Sequence, residues 1–92
     1  MKVVFRVHAL QRMAKRHITH DEVFRVLTDG VVVETYPDDF PFPSRLLLGW
    51  SNQRPLHIVA AENHAVEETI VITVYEPDDK KWENGFQERK TR

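Results

Sequence analysis

The pattern of apolar residues changes once along the chain, at Gly30, and this change constrains the fold more than any other feature. Before Gly30, apolar residues recur at the three- and four-residue spacing of amphipathic helices, and after it β-branched runs alternate with turn residues, as in strands. The chain has 92 residues, enough for one modest hydrophobic core. The sequence therefore predicts a single α+β domain over residues 1–92, in which helices precede a sheet.

The first predicted helix covers about residues 8–17 and is strongly amphipathic. Its polar face occupies about one third of the circumference, contains no acid, and is made of His8, Arg12, Lys15 and Arg16. Leu10, Met13 and Ala14 fall on the opposite side, which we expect to be buried.

The second predicted helix begins at Thr19 and ends at Gly30. Thr19 is a natural N-cap, and Glu22 three residues later completes a capping box. Ile18 and Val23 flank this cap at the spacing of a hydrophobic staple. Gly30 is typical of a residue that stops a helix.

Four strands are predicted after Gly30, at Val31–Tyr36, Arg45–Trp50, Leu56–Ala61 and Glu68–Glu76. Short turns connect most of them, which favours antiparallel pairing, and three prolines make residues 37–43 an extended loop. We therefore predict two N-terminal helices packed on one face of a curved four-stranded antiparallel sheet. We also predict a short edge strand at Val3–Val7 and a short C-terminal helix around Lys80–Lys90.

One face of the predicted sheet carries polar side chains. Strand alternation places Thr73 and Tyr75 on one side of the last strand, and His57 lies on the neighbouring strand. We expect these three side chains to be neighbours on a half-open face.

Charge is segregated along the chain although the net charge is only −1. Both ends are basic and the middle is acidic. Two interpretations stay open: the basic ends meet and form a patch for an anionic ligand, or they pair with the acids of the middle.

Composition argues against several classes of protein. The chain contains no cysteine, which removes disulfides and zinc–thiolate sites and fits a reducing cytoplasm. Five histidines show no metal-binding spacing, so we expect no metal and no other cofactor. No apolar run approaches the roughly 20 residues of a membrane helix, so no membrane association is expected.

The spacing of His8, Arg12 and Arg16 suits a phosphodiester. Steps of four residues align the three side chains, arginine offers bidentate contacts to oxyanions, and histidine titrates near neutral pH. The alternative is a solvated basic face whose arginines form ion pairs.

Four segments of the chain carry a family resemblance: VHALQRMAKRHITHDEVFRVLTDG, RLLLGW, RPLHIVAAE and IVITVYEPDDKKWENGFQERK. Over nearly the whole chain they resemble a bacterial family of domains of unknown function, DUF 4258. The matching positions are His8, Arg12-Met13, Arg16, Ile18, Asp21-Glu22, Thr73, Tyr75, Pro77, Trp82 and Arg89-Lys90. The order of segments is also similar to the BrnT branch of RelE-like toxins.

The toxin resemblance implies a metal-independent endoribonuclease of a toxin–antitoxin pair, which cleaves RNA through attack of the 2′-hydroxyl. The roles it implies fall into three groups, namely catalysis by His8, His57 and Tyr75, phosphate binding by Arg12, Arg16 and Arg89, and RNA or partner contact by Lys15, Lys90 and Trp82. The alternative is a non-enzymatic interaction module of the same fold, whose cationic helix face binds a partner protein. The partners implied are RNA and a small antitoxin-like protein of zinc-finger or helix-turn-helix type.

Overall fold

Two helices and five strands make up the fold of residues 2–91, the part of the chain that the computed structural model describes. In chain order they are β1 (Lys2–Phe5), α1 (Val7–Arg16), α2 (His20–Asp29), β2 (Val31–Tyr36), β3 (Ser44–Ser51), β4 (Arg54–Asn63) and β5 (Glu68–Tyr75). The strands form one mixed sheet in the order β1-β5-β4-β3-β2. The predicted α+β class is confirmed. Within the described residues, no helix is long and apolar enough to cross a bilayer.

The sheet has five strands, one more than the four predicted, because the first strand joins it. The prediction of an all-antiparallel sheet is wrong because Lys2–Phe5 pairs in parallel with the start of β5, with Lys2 opposite Glu68 and Phe5 opposite Val71. The other three strand pairs are antiparallel, as predicted. The first strand ends at Phe5 and not at Val7, because Val7 already opens α1.

The buried side of α1 is displaced from the predicted one. Ala9 and Met13, four residues apart, are buried in the core, whereas Leu10 is 41% exposed. Ala14 is exposed as well, so the expectation that Leu10 and Ala14 are buried is wrong. The helix stops at His17, which adopts a left-handed conformation with φ 57°. The cationic face, which we define as His8, Arg12, Lys15 and Arg16, is exposed.

The predicted start of α2 is confirmed in detail. The backbone amide of Glu22 donates to Thr19 Oγ1 at 3.1 Å, and the backbone amide of Thr19 donates to Glu22 Oε1 at 2.8 Å. Val26 of this helix lies so close to β3 that a Cβ at Gly49 would sit 2.5 Å from Val26 Cγ2. Glycine at position 49 therefore permits the close approach of α2 to the sheet.

Neighbouring residues on β4 and β5 belong to different sides of the sheet. Ile58 and Val74 face each other across the two strands and are fully buried in the same core as residues of both helices. His57 and Tyr75, one residue away on each strand, form the adjacent cross-strand pair. Because successive strand residues point to opposite faces, His57 and Tyr75 lie on the side away from this core.

Residues 77–91, which we call the C-terminal segment, contain no helix, so the predicted helix at Lys80–Lys90 is wrong. The segment folds back on itself through an isolated bridge between Trp82 and Arg89. Glu83 and Lys90 donate backbone hydrogen bonds of 2.8 and 2.9 Å to Glu88 and Lys81. Asn84-Gly85 lies at the reversal, where Gly85 has φ 87° and so breaks any helix.

Candidate functional site

A cleft of about 330 Å³ lies between α1, the end of β5 and the C-terminal segment. Its lining contains four cations, two acids and two aromatic side chains. They are Arg12, Arg16, Lys81, Arg89, Glu76, Asp78, Tyr75 and Trp82. Five residues that the sequence marked as functional therefore come together here: Arg12, Arg16, Tyr75, Trp82 and Arg89.

Only some of the charged side chains of the cleft have ion-pair partners within residues 2–91. Arg89 forms an ion pair with Glu34, and Glu76 forms one with Arg54 at 3.2 Å between Glu76 Oε2 and Arg54 Nε. The side chains of Arg12 and Arg16 have no ion pair or side-chain hydrogen bond within residues 2–91. Two guanidinium groups of α1 are therefore free to bind an anion in the cleft.

A second set of contacts fixes the C-terminal end of α1 beside the cleft. Arg54, the first residue of β4, donates through Nη2 to the backbone oxygens of Arg16 and His17 at 3.2 and 3.4 Å. Such contacts satisfy carbonyl groups that a helix end leaves without partners. Glu76 binds the same arginine. The position of Arg16 is thus tied to Glu76, the residue directly after β5.

His8 lies at the start of the cationic face and contacts β5. Its Nε2 is 3.0 Å from Thr73 Oγ1, a separation that makes a hydrogen bond. Thr73 lies two residues before Tyr75 on β5, so both point to the same side of the strand. His8 is not part of the cleft lining. It lies on α1 one helical turn before Arg12, which does line the cleft.

His57 is fully buried, and both of its ring nitrogens have partners. Nε2 lies 2.9 Å from the backbone oxygen of Phe86, and Nδ1 lies 3.2 Å from the Tyr75 hydroxyl. A carbonyl oxygen only accepts, so Nε2 carries the proton of the neutral ring and Nδ1 accepts from Tyr75. His57 is therefore screened from any ligand, and its hydrogen bond to a residue of the cleft is the one with Tyr75.

Trp82 and Arg89 of the C-terminal segment cover His57, with Trp82 in contact with the histidine ring and Arg89 in contact with Trp82. The Trp82 ring meets the His57 ring edge-on with centroids 4.6 Å apart, and the Arg89 guanidinium lies 4.5 Å from the centre of the Trp82 ring. Arg89 in turn donates two hydrogen bonds of 2.8 and 3.1 Å to Glu34. The predicted phosphate ligand Arg89 is thus also an ion-pair partner, as the alternative interpretation of the charges expected.

The environment shifts the pKa values of the buried polar groups. Burial lowers the pKa of His57, which favours its neutral ring, and burial also raises the pKa of the Tyr75 phenol. The two hydrogen bonds from Arg89 lower the pKa of Glu34 and keep it ionised. On the neighbouring Tyr36, burial and the Glu34 carboxylate raise the phenol pKa to about 12. At neutral pH the site therefore combines a neutral His57, a protonated Tyr75 and an ionised Glu34.

Two of the predicted contact residues lie outside the cleft. Lys15 is exposed on α1, and Lys90 borders a separate shallow depression together with Trp82 and Asn84. In residues 2–91 no group of three or more His, Asp or Glu side chains is arranged to hold a metal ion.

Sequence reasoning missed Glu34, Lys81 and the backbone of Phe86. Glu34 and Arg89 are 55 positions apart, and no local pattern links residues at that distance. Phe86 contributes a carbonyl group, which every residue possesses, so its side chain gives no signal. Lys81 was visible only as one of several C-terminal cations.

These features define a small α+β domain with a cationic cleft beside a tyrosine–histidine pair. The chain belongs to the family described as "Domain of unknown function (DUF4258)", whose model matches residues 5–76. No curated protein and no solved structure matches the chain. The family description gives no activity, so the resemblance to RelE-like toxins stays a prediction.

Proposed function

We propose that this protein is a toxin-like, metal-independent endoribonuclease of the cytoplasm. The observation that carries the proposal is a pair of guanidinium groups, Arg12 and Arg16, which have no ion-pair partner within residues 2–91 and line the same cleft as Tyr75. A phosphodiester in this cleft would receive bidentate contacts from arginine, and the same cations would stabilise the extra negative charge of a pentavalent phosphorane. Lys81 and Arg89 bring the number of cations in the lining to four.

The acid–base groups lie close to these cations. His8 is anchored by Thr73 and is exposed, so its ring is available for proton transfer to a leaving 5′-oxygen. Tyr75 lines the cleft and carries a hydroxyl group that is bound to His57. Arg89 and Trp82 form the opposite wall, and the ion pair with Glu34 gives Arg89 a supporting part in addition to any contact with phosphate.

A specific observation also supports the non-enzymatic alternative. Val7 is 69% exposed and Leu10 is 41% exposed, so apolar side chains of α1 accompany its cationic face. Apolar side chains rimmed by charge are typical of surfaces that bind proteins. A small antitoxin-like protein, of zinc-finger or helix-turn-helix type, would then cover α1 either as an inhibitor or as the sole partner.

The experiment is a cleavage assay with a defined single-stranded RNA in the presence of EDTA, combined with growth measurements after induction. We expect the wild type to cleave RNA and slow growth, and the double variant Arg12→Ala/Arg16→Ala to lose at least 100-fold in cleavage rate. The matched control is Arg25→Ala, which removes an exposed arginine of α2 outside the cleft. Absence of both cleavage and growth arrest in the wild type would reject the ribonuclease. Equal losses in Arg25→Ala would reject the site.

A further inference from the structure

The protons of the Tyr75–His57 pair have only one arrangement when the ring is neutral. The Phe86 oxygen accepts the Nε2 proton at 2.9 Å, so His57 Nδ1 has a lone pair directed at the Tyr75 oxygen 3.2 Å away. The hydroxyl proton of Tyr75 is therefore donated to Nδ1. The Tyr75 oxygen keeps lone pairs that can accept further hydrogen bonds, and Tyr75 is the member of the pair that lines the cleft.

We propose that Tyr75 and His57 form a two-residue proton relay that recognises and deprotonates a ribose 2′-hydroxyl. The inference rests on the proposed function and specifies the base of that reaction. A hydroxyl group that donates to the Tyr75 oxygen distinguishes RNA from DNA, because the 2′-hydroxyl is the donor that DNA lacks. Tyr75 is then the catalytic residue, and His57 acts through it as a positioning residue and final proton acceptor.

The transfer balances without a metal or a co-reactant. The 2′-oxygen forms a bond to phosphorus as its proton moves to the Tyr75 oxygen, and the original Tyr75 proton moves to His57 Nδ1. The bond from phosphorus to the 5′-oxygen breaks, and that oxygen takes a proton from the His8 imidazolium. The products are a 2′,3′-cyclic phosphate and a 5′-hydroxyl. Solvent then reprotonates His8, and His57 returns its extra proton through Tyr75.

The surroundings of His57 suit a transient positive charge. In the imidazolium form, both ring nitrogens donate, one to the Phe86 oxygen and the other to Tyr75. Arg89 and Glu34, which are bound to each other, lie beside the pair, and the other charged residues of the cleft are Arg12, Arg16, Lys81, Glu76 and Asp78. Glu34 favours the imidazolium and Arg89 opposes it. Burial keeps the resting ring neutral and so ready to accept the proton.

The decisive variants are Tyr75→Phe and His57→Asn. Phenylalanine removes the relaying hydroxyl, whereas asparagine can place its amide oxygen near the position of Nδ1, accept from Tyr75 and take up no proton. We expect kcat for RNA cleavage to fall at least 100-fold in both variants, with KM within a few-fold of wild type. The acidic limb of the pH–kcat profile should disappear in His57→Asn. The matched control is His64→Asn, which changes an exposed histidine outside the cleft and should retain wild-type kcat, and thermal unfolding verifies that all three variants fold.

Each outcome decides a different point. Wild-type kcat in His57→Asn, or an unchanged acidic limb, would overturn the relay and leave the ribonuclease intact. A wild type that cleaves no RNA would reject the proposed function and the relay together. Nitrogen-15 NMR of the histidine rings tests the arrangement without any substrate. The Nε2-protonated tautomer of His57 is expected, and an Nδ1-protonated ring would overturn the relay whatever the cleavage assay shows.

Discussion

Replacing Trp82 by alanine should detach the C-terminal segment and leave the rest of the domain folded. Trp82 is 3% exposed, its ring packs edge-on against His57 at 4.6 Å, and Arg89 lies 4.5 Å above it. Truncation of a buried tryptophan costs about 3 to 5 kcal/mol, and the exposed cation–π contact adds about 0.5 to 1 kcal/mol. Terminal segments open locally at free energies well below that of global unfolding. The free-energy cost of Trp82→Ala is therefore expected to exceed the free energy of local opening of the C-terminal segment.

Hydrogen exchange followed by mass spectrometry measures this effect. In Trp82→Ala, the amides that hold the segment together, those of Glu83 and Lys90, should lose protection, while those of β4 and β5 keep it. The control is Trp50→Ala, because this tryptophan is 46% exposed and the ring it meets is Phe86, with centroids 6.0 Å apart. Its loss should leave protection in residues 77–91 nearly unchanged. If Trp82→Ala lowers protection uniformly across the sheet, the segment is an integral part of the cooperative unit and the reasoning is refuted.

Two further predictions concern stability. Because burial lowers the pKa of His57, its neutral ring stabilises the fold fully above the unfolded-state pKa of about 6.5, and this contribution is lost as pH falls below that value. Urea unfolding between about pH 7.5 and 5 should show this decline in wild type and a flatter dependence in His57→Gln; parallel curves would contradict it. Gly49→Ala should lower the free energy of unfolding by about 1 to 3 kcal/mol, since its Cβ would meet Val26 Cγ2 at 2.5 Å. Urea denaturation measures this loss, and an unchanged midpoint would show that α2 shifts away freely.

Local signals predicted the helices and most of the strands, whereas the position of the first strand needed long-range information. The capping box of Thr19 and Glu22 involves residues three positions apart, so the sequence displays it directly. Lys2 and Glu68 are also partners, yet they are 66 positions apart in the sequence, and their parallel pairing has no local signature. The helix prediction for the C-terminal segment is wrong for a different reason. The charged residues of this segment suit a helix, but the chain reverses at Asn84-Gly85.

The candidate site also combines features that local patterns predict with features that depend on long-range contacts. Helical spacing predicted the cationic face, and strand alternation predicted that His57 and Tyr75 would be neighbours, which the register confirms. The burial of His57 was not predictable, because it depends on Trp82 and on the backbone of Phe86 in a segment expected to be helical. Strand alternation alone left His57 on a half-open face, and only the fold of residues 77–91 closes it.

The region that matches the family model contains only part of the cleft lining. Membership of the family therefore does not imply the whole cleft. The matched region, residues 5–76, contains the cationic face and the Tyr75–His57 pair. Four of the cleft residues, Asp78, Lys81, Trp82 and Arg89, come after it, as does the Phe86 carbonyl that sets the His57 tautomer. A chain with residues 5–76 unchanged and a different C-terminal segment would keep Arg12, Arg16 and the Tyr75–His57 neighbours. Its histidine would be hydrated, however, and would lack the partner that leaves Nδ1 free to accept, so the relay is expected only where an equivalent segment covers this histidine.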